Sequence, residues 1–191
     1  MFKNLLVTSL FMLFVAANPS HAKTSHYRLD PAKSDVGFAW DFGKDEVTGH
    51  MPVQTADLTI DFSDVSRSKV AVAVNVAAAE AGFPFASQAM KGPKVLDAKS
   101  FPLISFTSTK VTRQGDDARI DGMITIRGVT KPAVLIATLY RPQGSVAGDN
   151  SALSIRLNGS ISRAAFGATG WPDLAGDEVR LNILAAITEI D

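Results

Sequence analysis

An apolar residue at every second position, repeated along most of the chain, is the feature that most limits how this sequence can fold. In residues 34–42, Val36, Phe38, Trp40 and Phe42 fall on one face and Asp35, Gly37, Ala39 and Asp41 on the other. The pattern recurs in 57–62 through Leu58, Ile60 and Phe62, and in 69–76 through Val70, Val72, Val74 and Val76. Successive side chains of a β-strand point to opposite faces, whereas an amphipathic helix needs apolar residues three and four apart. Ile104 and Phe106 open a further strand running to about Arg113, closed by a polar turn over 114–117. Ile120, Gly122, Ile124 and Ile126 alternate in 119–127, and 133–141 is apolar on both faces until Tyr140. After a flexible connection over 144–150, Leu153, Ile155, Leu157 and Ile161 alternate with polar neighbours. The last strand runs from about Glu178, with Val179, Leu181, Ile183, Ala185 and Ile187 on its inner face.

Eight such segments, separated by turn residues and with no strand–helix alternation, predict an all-β antiparallel domain. Residues 77–100 depart from the pattern. Their alanines tolerate a helix, but Gly82, Pro84, Gly92 and Pro93 limit it to a turn or two. The segment reads as a loop with a short helix, placed across an opening of the sheet. Two architectures bury one face of eight strands, a two-sheet sandwich and a closed barrel, and the pattern allows both.

Composition removes whole classes of function. The chain has 191 residues, which suits one domain, and no cysteine. That excludes disulfides, thiolate metal sites, a catalytic cysteine and a lipid-modified cysteine anchor. Its 19 basic residues balance its 19 acidic ones, unlike the strongly basic surface of a nucleic-acid binder.

The first 22 residues stand apart. Lys3 precedes a 13-residue stretch over 5–17, apolar except for Thr8 and Ser9, and then come Pro19 and the small residues Ser20 and Ala22. This is the layout of a secretory leader. Thirteen residues rise only about 20 Å as a helix, too short for a hydrocarbon core of about 30 Å. Cleavage after Ala22 is expected, leaving residues 23–191 as one exported domain in the periplasm without a transmembrane helix. It would keep 18 basic and 19 acidic residues, with His26 and His50 as its only histidines.

Catalytic material is thin. His26 lies near the new N-terminus and His50 in an expected turn, too isolated for a metal site. No serine sits in a Gly-x-Ser-x-Gly elbow, and no phosphate loop or dinucleotide fingerprint is present. No catalytic residue, metal ligand or enzymatic cofactor is assigned.

Several blocks, taken in order, resemble the YceI-like family of exported lipocalin-like, polyisoprenoid-binding proteins. They begin with Tyr27-Arg28-Leu29-Asp30-Pro31, followed by Ser34, Val36 and Phe38, then Gly49. Next come Ser100-Phe101-Pro102-Leu103-Ile104-Ser105-Phe106-Thr107-Ser108 and the most specific block, from Gly122 through Arg127-Gly128-Val129-Thr130-Lys131-Pro132. Arg163-Ala164-Ala165-Phe166-Gly167 and Gly176-Asp177-Glu178-Val179 complete the series. The resemblance implies an eight-stranded antiparallel lipocalin-like barrel around an apolar channel, holding an isoprenoid lipid or isoprenoid quinone. Histidines frequent in the family near the first strand are replaced here by Lys33 and Phe42, so contacts made through them do not transfer. Gly170-Trp171-Pro172 is similar to a branch found beside membrane b-type cytochromes, which implies a membrane redox protein as a further partner.

In such a barrel the core face and the binding face coincide. Phe38, Trp40 and Phe42 are the first candidates for the lining, joined by Ile60, Val72, Val74, Phe106, Ile124 and Leu157. Phe83, Phe85, Met90, Val95, Leu96 and Phe101 read either as a cover over one mouth or as a satellite core. Of these, Leu96 and Phe101 are included in the expected lining. Arg127 and Lys131 flank an expected tight turn at Gly128, and Arg163 reads as a strut for loop carbonyls or as a head-group contact. The expected function is carriage of a long isoprenoid-type lipid without covalent chemistry. The alternative is a barrel packed with its own side chains that docks to a membrane redox protein.

Overall fold

The computed structural model describes residues 24–190; the expected leader over 1–22 lies outside them, as do Lys23 and Asp191. The strands are β1 Ser25–Leu29, β2 Asp35–Phe42, β3 Asp45–Met51, β4 Val53–Ile60, β5 Lys69–Asn75 and β6 Glu80–Ala81. They continue with β7 Leu103–Gln114, β8 Asp117–Ile126, β9 Val129–Tyr140, β10 Ala152–Ser162 and β11 Ala175–Ile190. Among the described residues one α-helix, α1, spans Pro84–Lys91.

Closure turns on β11. One edge of it pairs with β10 from Ala152↔Thr188 to Ser162↔Glu178. The other edge carries two strands end to end, β2 through Leu181↔Phe38 and β1 through Ile190↔His26. β1 then pairs with β4, and the ring runs on through β5, β7, β8, β9 and β10 back to β11. All these pairs are antiparallel, so the barrel has eight staves and no open edge around that ring.

Three staves are broken into two pieces. β1 and β2 are separated by a single 3-10 turn, Pro31–Lys33. At that break the Ser34 hydroxyl bridges the ladder, donating to the Asp30 carbonyl at 2.7 Å and accepting the Ala186 N–H at 3.0 Å. Pro52, which has no N–H to donate, divides β3 from β4. The third broken stave is β5 with β6, which pairs with β3 at Gly49↔Ala81 as β5 pairs with β4.

These breaks explain where the strand boundaries differ from expectation. The alternation predicts no strand at β1 or β3. β1 buries one side chain, Tyr27, and the inward run of β3 is Val47, Gly49 and Met51, with no side chain at its middle position. His50 therefore lies in a strand and not in a turn, and His26 lies in β1. In β7 a bulge between Ser108 and Lys110 resets the alternation, so that Val111 follows Phe106 on the inner face. Pro132 sits inside β9, beyond the point where the β9–β10 ladder stops at Asn158↔Ile136. Phe166, 3% exposed, closes that gap against Ile124, Ile126, Ala133 and Ile161.

The two ends of the barrel differ. One carries the β7–β8 turn, the 61–68 and 141–151 loops and both ends of the described chain. The other carries α1, the β2–β3 and β8–β9 turns and the 163–174 loop.

Candidate functional site: an axial apolar cavity

The inward faces of the staves do not meet. They enclose a cavity of about 760 Å³, within the size range of small-molecule sites. It is lined by Arg113, Asp116, Asp117 and Arg141 at the β7–β8 end and by Phe83, Phe85 and Trp171 at the α1 end, so it runs the length of the barrel. β11 alone has 16 residues, about 50 Å of extended chain. At the usual barrel tilt of about 40° this spans roughly 40 Å along the axis.

The structure brings together ten of the eleven expected lining residues. Phe38, Trp40 and Phe42 from β2 face the cavity, as do Ile60 of β4 and Val72 and Val74 of β5. Phe106 of β7, Ile124 of β8 and Leu157 of β10 continue the wall around the ring, Phe106 directly beside Val72, and Leu96 reaches in from the segment after α1. The rings of Phe38 and Trp40 stack at 5.9 Å with an interplanar angle of 17°. Phe101 is the exception. Its ring packs over the β8–β9 turn, so close that a Cβ on Gly128 would come within 3.0 Å of it.

The 77–100 segment combines both of its expected roles. Met90 is buried with Phe38, Met51, Val74 and Ala79, and Val95 and Leu96 pack against that cluster. Phe83 and Phe85 instead stand at the rim, lining the cavity while 45% and 68% exposed. Val47, Met51, Phe166 and Trp171 also line the cavity and are not among the expected residues. For Val47 and Met51 the missing signal is the glycine between them. Phe166 and Trp171 lie in a loop, where no periodicity points inward.

Polar groups are concentrated at the ends. Ser34 and Ser68 reach the wall, but Ser34 bridges the β1–β2 break and Ser68 accepts the Asp61 N–H at 3.0 Å. The guanidinium of Arg141 is held by the Asp149 carbonyl at 3.0 Å and the Asn150 side chain at 2.8 Å. Arg163 is the strut of the α1 end: it donates to the carbonyls of Gly176, Ala168, Gly170 and Ala175 at 2.6–2.9 Å. Arg127 plays the same part nearby, donating to the carbonyls of Pro93 and Val95 at 2.8 and 2.7 Å.

Other polar and charged groups are satisfied away from the cavity. Asp61, fully buried, accepts from the Ser63 hydroxyl, the Asp64 N–H and the Arg67 guanidinium. Those bonds, led by Ser63, hold its carboxyl well below the usual carboxylate range. Burial, reinforced by Glu189 and Asp149, pushes the Tyr27 phenol up to about 12, and its hydroxyl donates to the Asn150 carbonyl at 3.0 Å. His26 contacts Thr59 at 3.2 Å and His50 lies 3.8 Å from Glu80; neither lines the cavity. Among the described residues no three His, Asp or Glu side chains cluster to hold a metal.

A family model for the YceI-like domain matches residues 27–187. Protein YceI of Salmonella arizonae is 31% identical over 125 residues, a match that spans 65% of this chain and 65% of that relative's length. Among solved structures, BcnA of Burkholderia cenocepacia superposes with a TM-score of 0.74 at 20% identity, covering 83% of this chain and 99% of BcnA. A polyisoprenoid-binding domain from Saccharophagus degradans, implicated in plant cell wall breakdown, gives 0.62 at 11% identity over 87% of this chain and 99% of the domain. At these identities the structural likeness is one of fold.

Proposed function

The chain belongs to the YceI-like family, and from that premise we propose that it carries a long isoprenoid-type lipid, a polyprenol or isoprenoid quinone, inside its barrel. The observation that carries this reading is the axial cavity, apolar along its walls and polar only at its ends. Burying an isoprenoid tail there is worth about 25 cal/mol for each Å² of apolar surface removed from water, so affinity needs no charged contact. The Saccharophagus degradans domain, described as polyisoprenoid-binding, has the same fold and supports the same ligand class.

The wall also favours holding over chemistry. Its two serines, Ser34 and Ser68, are engaged in backbone hydrogen bonds, and no histidine lines the cavity. The alternative of a barrel packed with its own side chains is not favoured, because the lumen is open. Among the described residues no helix is long and apolar enough to cross a membrane. Export to the periplasm with removal of residues 1–22 completes the proposal, supported by the leader-like layout of that segment. N-terminal sequencing of protein from a periplasmic extract, expected to begin at Lys23, tests it.

The ligand test is direct. The chain is purified without denaturant, extracted with organic solvent, and the extract analysed by mass spectrometry; a stoichiometric isoprenoid is expected. Added polyprenol or isoprenoid quinone should also change the emission of Trp40. Absence of both signals overturns carriage.

A further inference from the structure

We infer that the α1 end of the barrel docks on an anionic lipid bilayer and is the port through which the apolar ligand enters and leaves. The ligand part of this statement rests on the carriage reading; the docking part stands on surface chemistry.

Three aromatic side chains at this end are shared between the cavity and solvent. Phe83, Phe85 and Trp171 all line the lumen, yet they are 45%, 68% and 40% exposed. α1 is pinned by Ala86 and Met90 on its buried side, which leaves Phe85 at the open rim. Trp171 stands at the rim on an unusual backbone. It has φ +51°, a left-handed conformation costly for a bulky residue, and its carbonyl accepts the N–H groups of Leu174 and Ala175 at 3.1 and 2.8 Å. Leu174, 51% exposed, continues the apolar rim. Rim aromatics with one side in apolar surroundings and the other in water suit the interface of a bilayer.

The charge beside this rim points to the same partner. Lys91 ends α1 and Lys94 and Lys99 follow it, with Asp97 as the one carboxylate of the 91–102 segment, and Lys131 lies just past the β8–β9 turn. That turn is joined to the same region through Arg127, which donates to the Pro93 and Val95 carbonyls. Trp171 adjoins it too, because Gly170 N–H donates to the Lys94 carbonyl at 2.8 Å. The carboxylates Asp173, Asp177 and Glu178 lie on the β10–β11 side, and Asp41, Asp45, Glu46 and Glu80 on β2, β3 and β6, where Arg180 pairs with Asp41 and Glu46. Contact is therefore tilted onto the 91–99 segment and the β8–β9 turn. Lysines around exposed aromatics match an anionic surface.

The opposite mouth cannot serve equally. There the lumen ends among Arg113, Asp116, Asp117 and Arg141, and an isoprenoid tail leaving that way would pass from the apolar wall into charged groups and water. At the α1 end it passes from the wall to Phe83, Phe85 and Trp171 and then into acyl chains.

Flotation with vesicles tests the inference. The purified chain should float with phosphatidylethanolamine vesicles containing phosphatidylglycerol, and much less with phosphatidylcholine vesicles or at high salt. Phe85→Ser should cut the partition about tenfold, the loss expected for one phenyl side chain. Lys94→Glu combined with Lys99→Glu should abolish the preference for phosphatidylglycerol while leaving polyprenol binding in solution unchanged. Circular dichroism checks that each variant is folded. A wild-type chain that binds polyprenol in solution but fails to float overturns docking and leaves carriage standing. One that floats but binds no polyprenol overturns carriage and the port, and leaves docking standing. A Phe85-dependent dimer in solution with no flotation assigns the rim to a second copy of the chain and overturns the inference.

Discussion

The ring of Phe106 on β7 lies directly over Gly122 on β8, leaving no room for a Cβ between them. Phe106 faces the lumen, so this glycine sets how far the ring can lie back against the wall. Gly122→Ala should push the ring into the cavity and cost about 1–3 kcal/mol through overpacking. Chemical denaturation measures the loss, and combining the change with Phe106→Leu should recover part of it, because the ring clash goes while the Thr107 carbonyl, 2.7 Å from the same Cβ, stays.

Narrowing the lumen without disturbing its staves should remove ligand binding selectively. Val72 lines the cavity from the middle of β5 and is half-buried. Val72→Phe is expected to lower polyprenol affinity about tenfold, equivalent to about 1.4 kcal/mol of lost burial, with little change in Tm. Fluorescence titration beside thermal melting separates the two effects.

Arg163 holds four loop carbonyls, so its removal should unfasten the α1 end. Arg163→Met is expected to cost about 3 kcal/mol or more, since hydrogen bonds from a charged donor contribute about 1.5–3 kcal/mol each and do not add fully. Arg163→Lys should not rescue it, because an ammonium cannot span the planar fork. Lost affinity with an unchanged Tm would instead make this residue a head-group contact.

Asp61 should make the barrel sensitive to acid. Its folded-state pKa is depressed, so the stability it supplies is complete above the ordinary aspartate value of about 4 and fades as the pH falls toward the folded value. Asp61→Asn should therefore lower Tm by several degrees near neutral pH and by progressively less below about pH 4. A Tm difference that stays constant from neutral pH to about pH 2 would contradict this.

Much of the inner wall was legible because each long strand carries its own pattern. Val36 to Phe42, Val70 to Val74 and Val179 to Ile187 declare one face without reference to any partner. β1 and β3 were not legible, since Tyr27 stands alone and Gly49 interrupts Val47 and Met51. Trp171 and Phe166 were silent as cavity residues because a loop has no period from which to read direction. Phe101 carried a lining residue's chemistry but lies over Gly128, a placement decided by the β8–β9 turn.

By itself the sequence determined the all-β class, the eight main strands, the short helical segment and the apolar character of the inward face. Period two assigns each side chain to a face but says nothing about which strand lies alongside. Only the tertiary structure decided that β1 closes on β11, at pairs such as Tyr27↔Glu189, making a barrel of a pattern that also fits a sandwich. It decided as well that the lumen stays open. Side chains facing a packed core and side chains facing a ligand share one signature, and the difference is the distance across the barrel.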